Sequence, residues 1–187
     1  MPAATPPPEH LRQQVQSVLI SEAEIAGRVR ELATEIERDY TGKELLMVAL
    51  LTGTVPFLSD LMRHITLPLR LDFMGVSSYG DGTVPGELVF TKELRLEARD
   101  RDVLLVDDIL DTGQTLHAVL GKLTDLQPRS LKTCVLLEKT SRRRESVTAD
   151  YIGFEVPDEF VVGYGLDYAE RYRNLPFIGV LKPEVYA

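Results

Sequence analysis

Short runs of uninterrupted apolar residues, separated by segments of helical periodicity, constrain the fold of this chain more than any other feature. The clearest runs lie in ELLMVALLTG (44–53), DVLLV (102–106) and SLKTCVLLEK (130–139). Strands that are apolar at every position, rather than at alternate positions, are typical of parallel sheets that are covered on both faces. We therefore expect an α/β fold in which helices flank a parallel, twisted sheet.

The segments between these runs supply the helices. SEAEIAGRVRELATEIERDY (21–40) repeats its apolar residues at helical intervals, and Ser21 and Glu24 have the spacing of a capping box. YGDGTVPGE (79–87) is rich in glycine and proline and predicts a loop. The same patterns predict two more helices, at 54–65 and 114–126, and two more strands, at 69–78 and 151–157.

The length of the chain indicates one domain. A chain of 187 residues can bury a core of its own. Its start, MPAATPPPEH (1–10), lacks the basic region and apolar core of a secretory signal, and its prolines predict a disordered lead-in. No apolar run approaches the roughly 20 residues of a membrane span. We expect residues 11–187 to form the domain, without a membrane partner.

Charge and cysteine content narrow the function classes. The net charge of −8 disfavours nucleic acid as a partner, because such a surface repels phosphate backbones. The basic run Arg142–Arg144 is the exception, and we interpret it as a solvated loop. Cys134 lies in an apolar run, which predicts a buried structural thiol, and the lack of any disulfide framework fits a reducing cytoplasm.

One motif, VLLVDDILDTGQTL (103–116), carries the chemistry. Asp107 and Asp108 follow a buried strand, at the end where open α/β sheets bind ligands. The segment 112–115 then opens a helix whose first amide groups lack internal partners, and small residues there let an anion approach. Carboxylates can bind sugar hydroxyls or Mg²⁺, and Asp111 could act as a base. The motif therefore predicts a site for a phosphorylated sugar.

Three other interpretations explain less of the motif than a sugar-phosphate site does: a helix cap, a nucleotide P-loop and a receiver domain. Helix capping explains one of the three aspartates, but not all of them. A nucleotide P-loop needs a lysine where Gln114 follows Gly113. A receiver domain would carry its acidic pair near its start, whereas about a hundred residues precede Asp107.

The motif resembles the phosphoribosyl pyrophosphate signature of the type I phosphoribosyltransferases. IGFEVPDEFVVGYGLDYAERYRNLPFIGVL (152–181) narrows the resemblance to the hypoxanthine-guanine phosphoribosyltransferases. Three further blocks match that family in order: LLTGTVPFLSDL (50–61), DFMGVSSYG (72–80) and LLEKTSRRR (136–144). The resemblance implies the type I phosphoribosyltransferase fold, with a small hood formed from the N-terminal segment and about 152–187.

The resemblance also implies a reaction. Such an enzyme transfers phosphoribosyl from phosphoribosyl pyrophosphate to hypoxanthine or guanine in purine salvage, and releases IMP or GMP and pyrophosphate. It would require Mg²⁺ and would be a homodimer or homotetramer. Two alternatives stay open: a preference for xanthine, and a non-catalytic regulator of the same fold that binds nucleotide and nucleic acid.

Each role that the resemblance implies falls on residues of this chain. Ribose and phosphate binding falls to Asp107, Asp108, Asp111, Thr112, Gly113, Gln114 and Thr115. Pyrophosphate binding falls to Leu51, Thr52, Gly53 and Arg173. The peptide bond between the first two of these is often cis in the family. Thr52 departs from the family, which commonly has lysine or arginine there, so backbone contacts would have to hold the pyrophosphate.

The remaining roles concern the base, the metal and a lid. Asp111 would be catalytic and handle the proton at N7 of the purine. Purine binding falls to Lys139 at O6, Phe160 by stacking, Val161 through its carbonyl, and Asp167. The Mg²⁺ ligands would be Asp107, Asp108 and Asp167, and the tip of the lid would be Ser78 and Tyr79.

Overall fold

The computed structural model describes residues 9–78 and 88–186. Numbered along the chain, its helices are α1 (Glu9–Arg12), α2 (Glu22–Tyr40), α3 (Val55–His64), α4 (Gln114–Asp125) and α5 (Pro183–Tyr186). Its strands are β1 (Val15–Ile20), β2 (Leu45–Leu51), β3 (Leu69–Ser78), β4 (Leu88–Lys92), β5 (Asp102–Leu110), β6 (Ser130–Glu138), β7 (Tyr151–Glu155), β8 (Val161–Val162) and β9 (Ile178–Leu181).

The central sheet has six strands in the order β4-β3-β2-β5-β6-β7. The strands from β3 to β7 in that order run parallel, and the edge strand β4 is antiparallel to β3. The carboxyl ends of β2, β5 and β6 therefore lie at one edge of the sheet. The crevice outside such an edge is where open α/β sheets bind their ligands.

Helices cover both faces of this sheet. Met47 and Leu104 pack on the face covered by α2 and α3, whereas Leu46 and Leu105 pack on the face covered by α4. Burial on both faces explains why these strands are apolar at every position. The predicted α/β fold with a parallel sheet flanked by helices is confirmed.

Helix α2 begins as the sequence predicts. The amide of Ser21 donates to Glu24 Oε2 at 2.8 Å, and the amide of Glu24 donates to Ser21 Oγ at 3.3 Å, which completes the capping box. Its apolar stripe is buried against the sheet. At its other end, the hydroxyl of Tyr40 donates to the carbonyl of Val103 at 3.3 Å.

A second, smaller sheet joins the two ends of the chain. Its three strands lie in the order β1-β9-β8, and its neighbouring strands are antiparallel. Val18 pairs with Gly179 across the first contact, and Val161 pairs with Val180 across the second. This sheet occupies the parts of the sequence for which the resemblance implies a hood.

The strand bounds differ from the sequence prediction at the motif. β5 continues to Leu110, because Ile109 and Leu110 still pair with β6. Asp107 and Asp108 thus belong to the last part of the strand rather than to the loop beyond it. Glu9 and His10 are helical in α1, while residues 1–8 and the predicted loop at 79–87 lie outside the described residues. Within the described ranges, no helix has the length and apolar character needed to cross a membrane.

Candidate active site

A cavity of about 260 Å³ opens at the carboxyl ends of β2 and β5. Its walls come from these strand ends, from β3 and from the loop that leads into α4. The lining residues are Leu50, Leu51, Val76, Asp107, Asp108, Ile109, Asp111, Thr112 and Thr115. The three aspartates of the motif therefore share one cavity.

Asp107 and Asp108 form an acidic pair in the wall of this cavity. Asp107 is 8% exposed, and its Oδ1 accepts hydrogen bonds from the Thr54 hydroxyl at 3.3 Å and from the Asp108 amide at 3.0 Å. Burial raises the pKa of Asp107, and the charge of Asp108 raises it further. Burial also raises the pKa of Asp108, against the opposing effects of hydrogen bonds, the largest with Asp107, and of the Arg173 charge. Two adjacent carboxylates with raised pKa values favour a cationic partner.

The acidic pair fits a hard divalent cation. Mg²⁺ usually binds to one or two carboxylates and takes its other ligands from water and substrate phosphates. Among residues 9–78 and 88–186, no three His, Cys, Asp or Glu side chains are grouped so that they could hold a metal ion. The role of Asp167 as a metal ligand stays a prediction. A cation bound at the pair would take its remaining ligands from water and from substrate oxygens.

Asp111 lies at the rim of the cavity. Its Oδ2 is 3.7 Å from Arg142 Nη1, and Arg142 Nε is 3.7 Å from Asp158 Oδ1. Its Oδ1 is buried and has no hydrogen-bond partner within the described part of the chain. A buried acceptor without a donor is unfavourable. A donor on a ligand could pair with this oxygen only if the carboxylate turned towards the cavity.

The loop between β5 and α4 has the backbone shape that an anion site requires. Gly113 has a φ of +85°, which glycine adopts without steric cost, and its carbonyl accepts from the His117 amide at 2.8 Å to open α4. The first amides of α4 precede this bond and lack partners within the helix. Thr112 and Thr115 line the cavity beside them.

The run Arg142–Arg144 is a loop in which Arg142 and Arg144 are exposed, as the sequence predicts, whereas Arg143 is partly buried. The Arg143 side chain is 18% exposed and donates to Glu138 Oε1 at 2.8 Å. The amide of Arg144 donates to the carbonyl of Thr112 at 2.9 Å. These contacts hold the segment against the loop between β5 and α4, and the charge of Arg143 is paired within the fold.

The loop after β2 packs directly against the acidic pair. The peptide bond between Leu51 and Thr52 is cis, as the resemblance implies. A Cβ atom on Gly53 would overlap Asp108 Oδ2, and a Cβ atom on Gly165 would overlap the carbonyl of Gly53. Gly165 has a φ of +103°, a conformation that disfavours any other residue. Position 165 is therefore restricted to glycine, and a side chain at position 53 would have to displace the Asp108 carboxylate.

Arg173 reaches the same place from the C-terminal part of the chain. Its Nη1 donates to the carbonyl of Gly165 at 2.8 Å. Its Nη2 lies 3.0 Å from Asp167 Oδ1 and 3.1 Å from Glu170 Oε2. These contacts fix the guanidinium plane beside the loop that contains Gly53.

Lys139 follows the last residue of β6 and is buried, with 5% of its surface exposed. Its ammonium donates to the carbonyl of Glu159 at 2.7 Å and lies 4.0 Å from Asp158 Oδ1. An ammonium has three N–H donors, and the carbonyl of Glu159 fixes the direction of one of them. Lys139 is thus held in one orientation near Asp158, which also contacts Arg142.

Phe160 follows Glu159 in the chain and is 37% exposed. It stacks on Tyr186, with ring centres 4.8 Å apart and planes at 21°, and its ring meets Tyr168 edge-on at 5.5 Å. The next residue, Val161, is buried in β8. Asp167, the remaining residue predicted to bind purine, is the partner of Arg173 described above.

Comparison with known proteins identifies the family. The sequence pattern described as "Phosphoribosyl transferase domain" matches residues 17–169, which include the acidic pair, Asp111 and Lys139. The hypoxanthine-guanine phosphoribosyltransferase of Bacillus subtilis is 48% identical over 94% of this chain and 98% of its own length. The chain belongs to the hypoxanthine-guanine phosphoribosyltransferase family.

The chain covers very different shares of the length of two further relatives. A crystal structure of a hypoxanthine phosphoribosyltransferase from Staphylococcus aureus superposes with a TM-score of 0.92, at 44% identity over 96% of this chain and 98% of that one. The bifunctional protein TilS/HprT of Listeria innocua is 48% identical over 96% of this chain. The chain spans 28% of the length of that protein.

The lid that the resemblance implies begins at the end of β3. Ser78 is the last residue of β3, where it pairs with Leu88 of β4. Tyr79 lies outside the described residues. The role of the lid stays a prediction.

Sequence patterns assigned no role at the site to three residues. Thr54 begins the helix predicted at 54–65, and nothing in that pattern indicates its contact with Asp107. Gly165 acts through Gly53, which is distant in the sequence, so its place in a block that matches the family was its only hint. Arg143 was interpreted only as part of a basic run, although its partner Glu138 is five residues away.

Proposed function

We propose that this chain transfers the phosphoribosyl group of phosphoribosyl pyrophosphate to hypoxanthine or guanine, in purine salvage. The products would be IMP or GMP and pyrophosphate. The observation that carries the proposal is the cavity in which Asp107, Asp108 and Asp111 meet the phosphate loop. The 48% identity to a hypoxanthine-guanine phosphoribosyltransferase over nearly its whole length supports the choice of substrate.

Binding of the sugar phosphate follows from the two ends of the motif. The amides at the start of α4 carry partial positive charge and would bind the 5′-phosphate, together with the hydroxyls of Thr112 and Thr115. The acidic pair would accept hydrogen bonds from the ribose hydroxyls or hold them through a cation. The sugar would therefore lie across the cavity with its anomeric carbon towards the pyrophosphate loop.

Departure of pyrophosphate leaves positive charge on the sugar and adds negative charge to the leaving group. Arg173 would stabilise that negative charge, because its guanidinium is fixed beside the loop of Gly53. Backbone groups of residues 51–53 would hold the leaving group where Thr52 offers no charge. Bound Mg²⁺ would supply a Lewis acid, and Asp107 and Asp108 are the residues that would hold it.

The base is selected and activated by two side chains. The Lys139 ammonium would donate to O6 of the purine, whereas the amino group of adenine would set a donor against a donor. The Asp111 carboxylate would accept the proton of N7 as N9 attacks the sugar. Phe160 would stack on the purine, and the Val161 carbonyl would accept from the amino group of guanine.

The same proposal covers assembly and location. We infer a homodimer or homotetramer in the cytoplasm, with Mg²⁺ required for activity. Removal of divalent cations with a chelator should abolish the reaction, and added Mg²⁺ should restore it. The small sheet of β1, β9 and β8 would form the hood over the base.

The direct test measures initial rates with hypoxanthine, guanine, xanthine and adenine in the presence of phosphoribosyl pyrophosphate and Mg²⁺. We expect turnover of hypoxanthine and guanine and none of adenine. The Asp111→Asn variant serves as the matched control for contaminating activity. A higher rate with xanthine would change the substrate, and binding of nucleotide without turnover of any base would indicate the regulator instead.

A further inference from the structure

The ring of Phe160 is held by contacts from the end of the chain. The amide of Leu181 donates to the carbonyl of Phe160 at 2.8 Å, which ties its backbone to β9. Tyr186, in the short helix that follows β9, then stacks on the ring itself with planes at 21°. Tyr168 meets the ring at 89°. Backbone and ring are thus fixed separately.

The helix that carries Tyr186 is itself anchored. The amide of Lys182 donates to the carbonyl of Gln14 at 3.0 Å, and the amide of Val185 donates to the carbonyl of Lys182 at 3.0 Å. Val185 and Tyr186 pack against the buried cluster that contains Tyr172. Contacts with Gln14, just before β1, and with the cluster beside the small sheet therefore fix the position of the Tyr186 ring.

These contacts leave Phe160 one face for a ligand. A stacked ring covers one face of its partner, and an edge-on ring covers part of its border. Phe160 is nevertheless 37% exposed, and Tyr186 stacks on only one face of its ring, so the opposite face is the one that a base could use. The neighbouring residue, Glu159, orients the Lys139 ammonium through its carbonyl. A planar base on the open face would therefore be close to the donor proposed for O6.

We infer that Tyr186 is a positioning residue for the purine: it stacks on the far face of Phe160 and holds that ring for the base. The inference rests on the proposed function, because it assumes that a purine stacks on Phe160. An aromatic ring that is already ordered loses less conformational entropy when a ligand binds than a mobile one does. Loss of the Tyr186 ring should therefore weaken binding of the base, but not binding of the sugar phosphate.

The test compares four variants in steady-state kinetics. Tyr186→Ala removes the ring, Tyr186→Leu keeps apolar bulk without a ring, and Tyr186→Phe keeps the ring without the hydroxyl. Glu184→Ala changes an exposed residue of the same helix and is the control. For Tyr186→Ala and Tyr186→Leu we expect the KM for hypoxanthine and guanine to rise about twofold to tenfold. The KM for phosphoribosyl pyrophosphate should stay unchanged, and Tyr186→Phe and Glu184→Ala should match the wild type.

Several results would overturn the inference. An unchanged base KM in Tyr186→Leu would show that the ring does not matter, and a lowered one would show that Tyr186 competes with the base. Equal rises in both KM values, or failure of Tyr186→Phe to restore the base KM, would indicate a general structural role. If the wild-type enzyme transfers phosphoribosyl to no 6-oxopurine, the proposed function itself fails, and this outcome is separate from the others.

Discussion

The hydroxyl of Thr54 donates a hydrogen bond to the carboxylate of Asp107 over 3.3 Å, and both side chains are buried. Thr54 stands at the start of α3 but makes no side-chain cap to that helix. Its hydroxyl instead links the loop after β2 to the acidic pair at the end of β5. The two segments proposed to hold the leaving group and the sugar are thus joined by one hydrogen bond.

Replacement of Thr54 by valine should remove this hydrogen bond, because valine has nearly the same shape as threonine but no hydroxyl. We expect the free energy of unfolding to fall by about 1–2 kcal/mol, because Asp107 loses a buried donor. The KM for phosphoribosyl pyrophosphate should rise, since the carboxylate can then turn away from the ribose. Denaturant unfolding and steady-state kinetics measure the two effects. Thr54→Ser keeps the hydroxyl and should stay near the wild type, so equal defects in both variants would contradict the interpretation.

Replacement of Asp111 by asparagine should slow the chemical step. General-base catalysis typically contributes about 10²–10⁴-fold, so we expect kcat to fall by that factor while affinity for phosphoribosyl pyrophosphate is largely kept. The control is Asp158→Asn, which removes the other carboxylate beside Arg142. Comparable losses of kcat in the two variants would assign the effect to the position of Arg142 rather than to proton transfer.

Replacement of Lys139 by alanine should weaken hypoxanthine and guanine use together, because both bases present O6 to the ammonium. Lys139→Gln keeps a neutral N–H donor and should lose less of the kcat/KM for each base. Ratios of kcat/KM for the two bases give the measurement. A loss confined to guanine would mean that Lys139 does not contact O6.

Asp72, on the strand that leads to the predicted lid, should make stability depend on pH. It is 6% exposed, and although burial acts to raise its pKa, hydrogen bonds from the amides of Leu96, Phe73 and Arg95 and from Lys92 lower it to about 2. A carboxylate whose pKa is lower in the folded than in the unfolded protein stabilises the fold above the unfolded pKa. That stabilisation is lost as the pH falls towards about 2.

Asp72→Asn should therefore lower the free energy of unfolding by about 2 kcal/mol at pH 7, and by only about 1 kcal/mol at pH 3. Urea titrations at the two pH values provide the test. Asp125→Asn, at the exposed end of α4, should stay within about 0.5 kcal/mol of the wild type. A pH-independent difference would show that the hydrogen bonds of Asp72, and not its charge, are what matters.

The sequence predicted those parts of the molecule whose signal is local. The capping box of Ser21 and Glu24 located the start of α2, and unbroken apolar runs located the parallel strands. β5 was predicted too short because its last residues include two aspartates, and their strand pairing depends on β6 rather than on their own polarity.

The sequence could not reveal contacts between distant segments. β1 and β9 pair across almost the whole chain, so neither has a local partner that would mark it as a strand. Gly165 lies against Gly53, and no local pattern marks either residue as part of that contact. At the site, the motif alone indicated three aspartates and an anion loop, whereas roles for Lys139 and Phe160 depended on the family resemblance.

The contact between Gly53 and Gly165 limits how the enzyme can be re-engineered. The carbonyl of Gly53 occupies the space that a side chain at position 165 would need. Libraries aimed at new base preference can vary the neighbourhood of Lys139, but every functional clone should still encode glycine at both positions. Changes of substrate preference should therefore leave the contact between residues 53 and 165 intact.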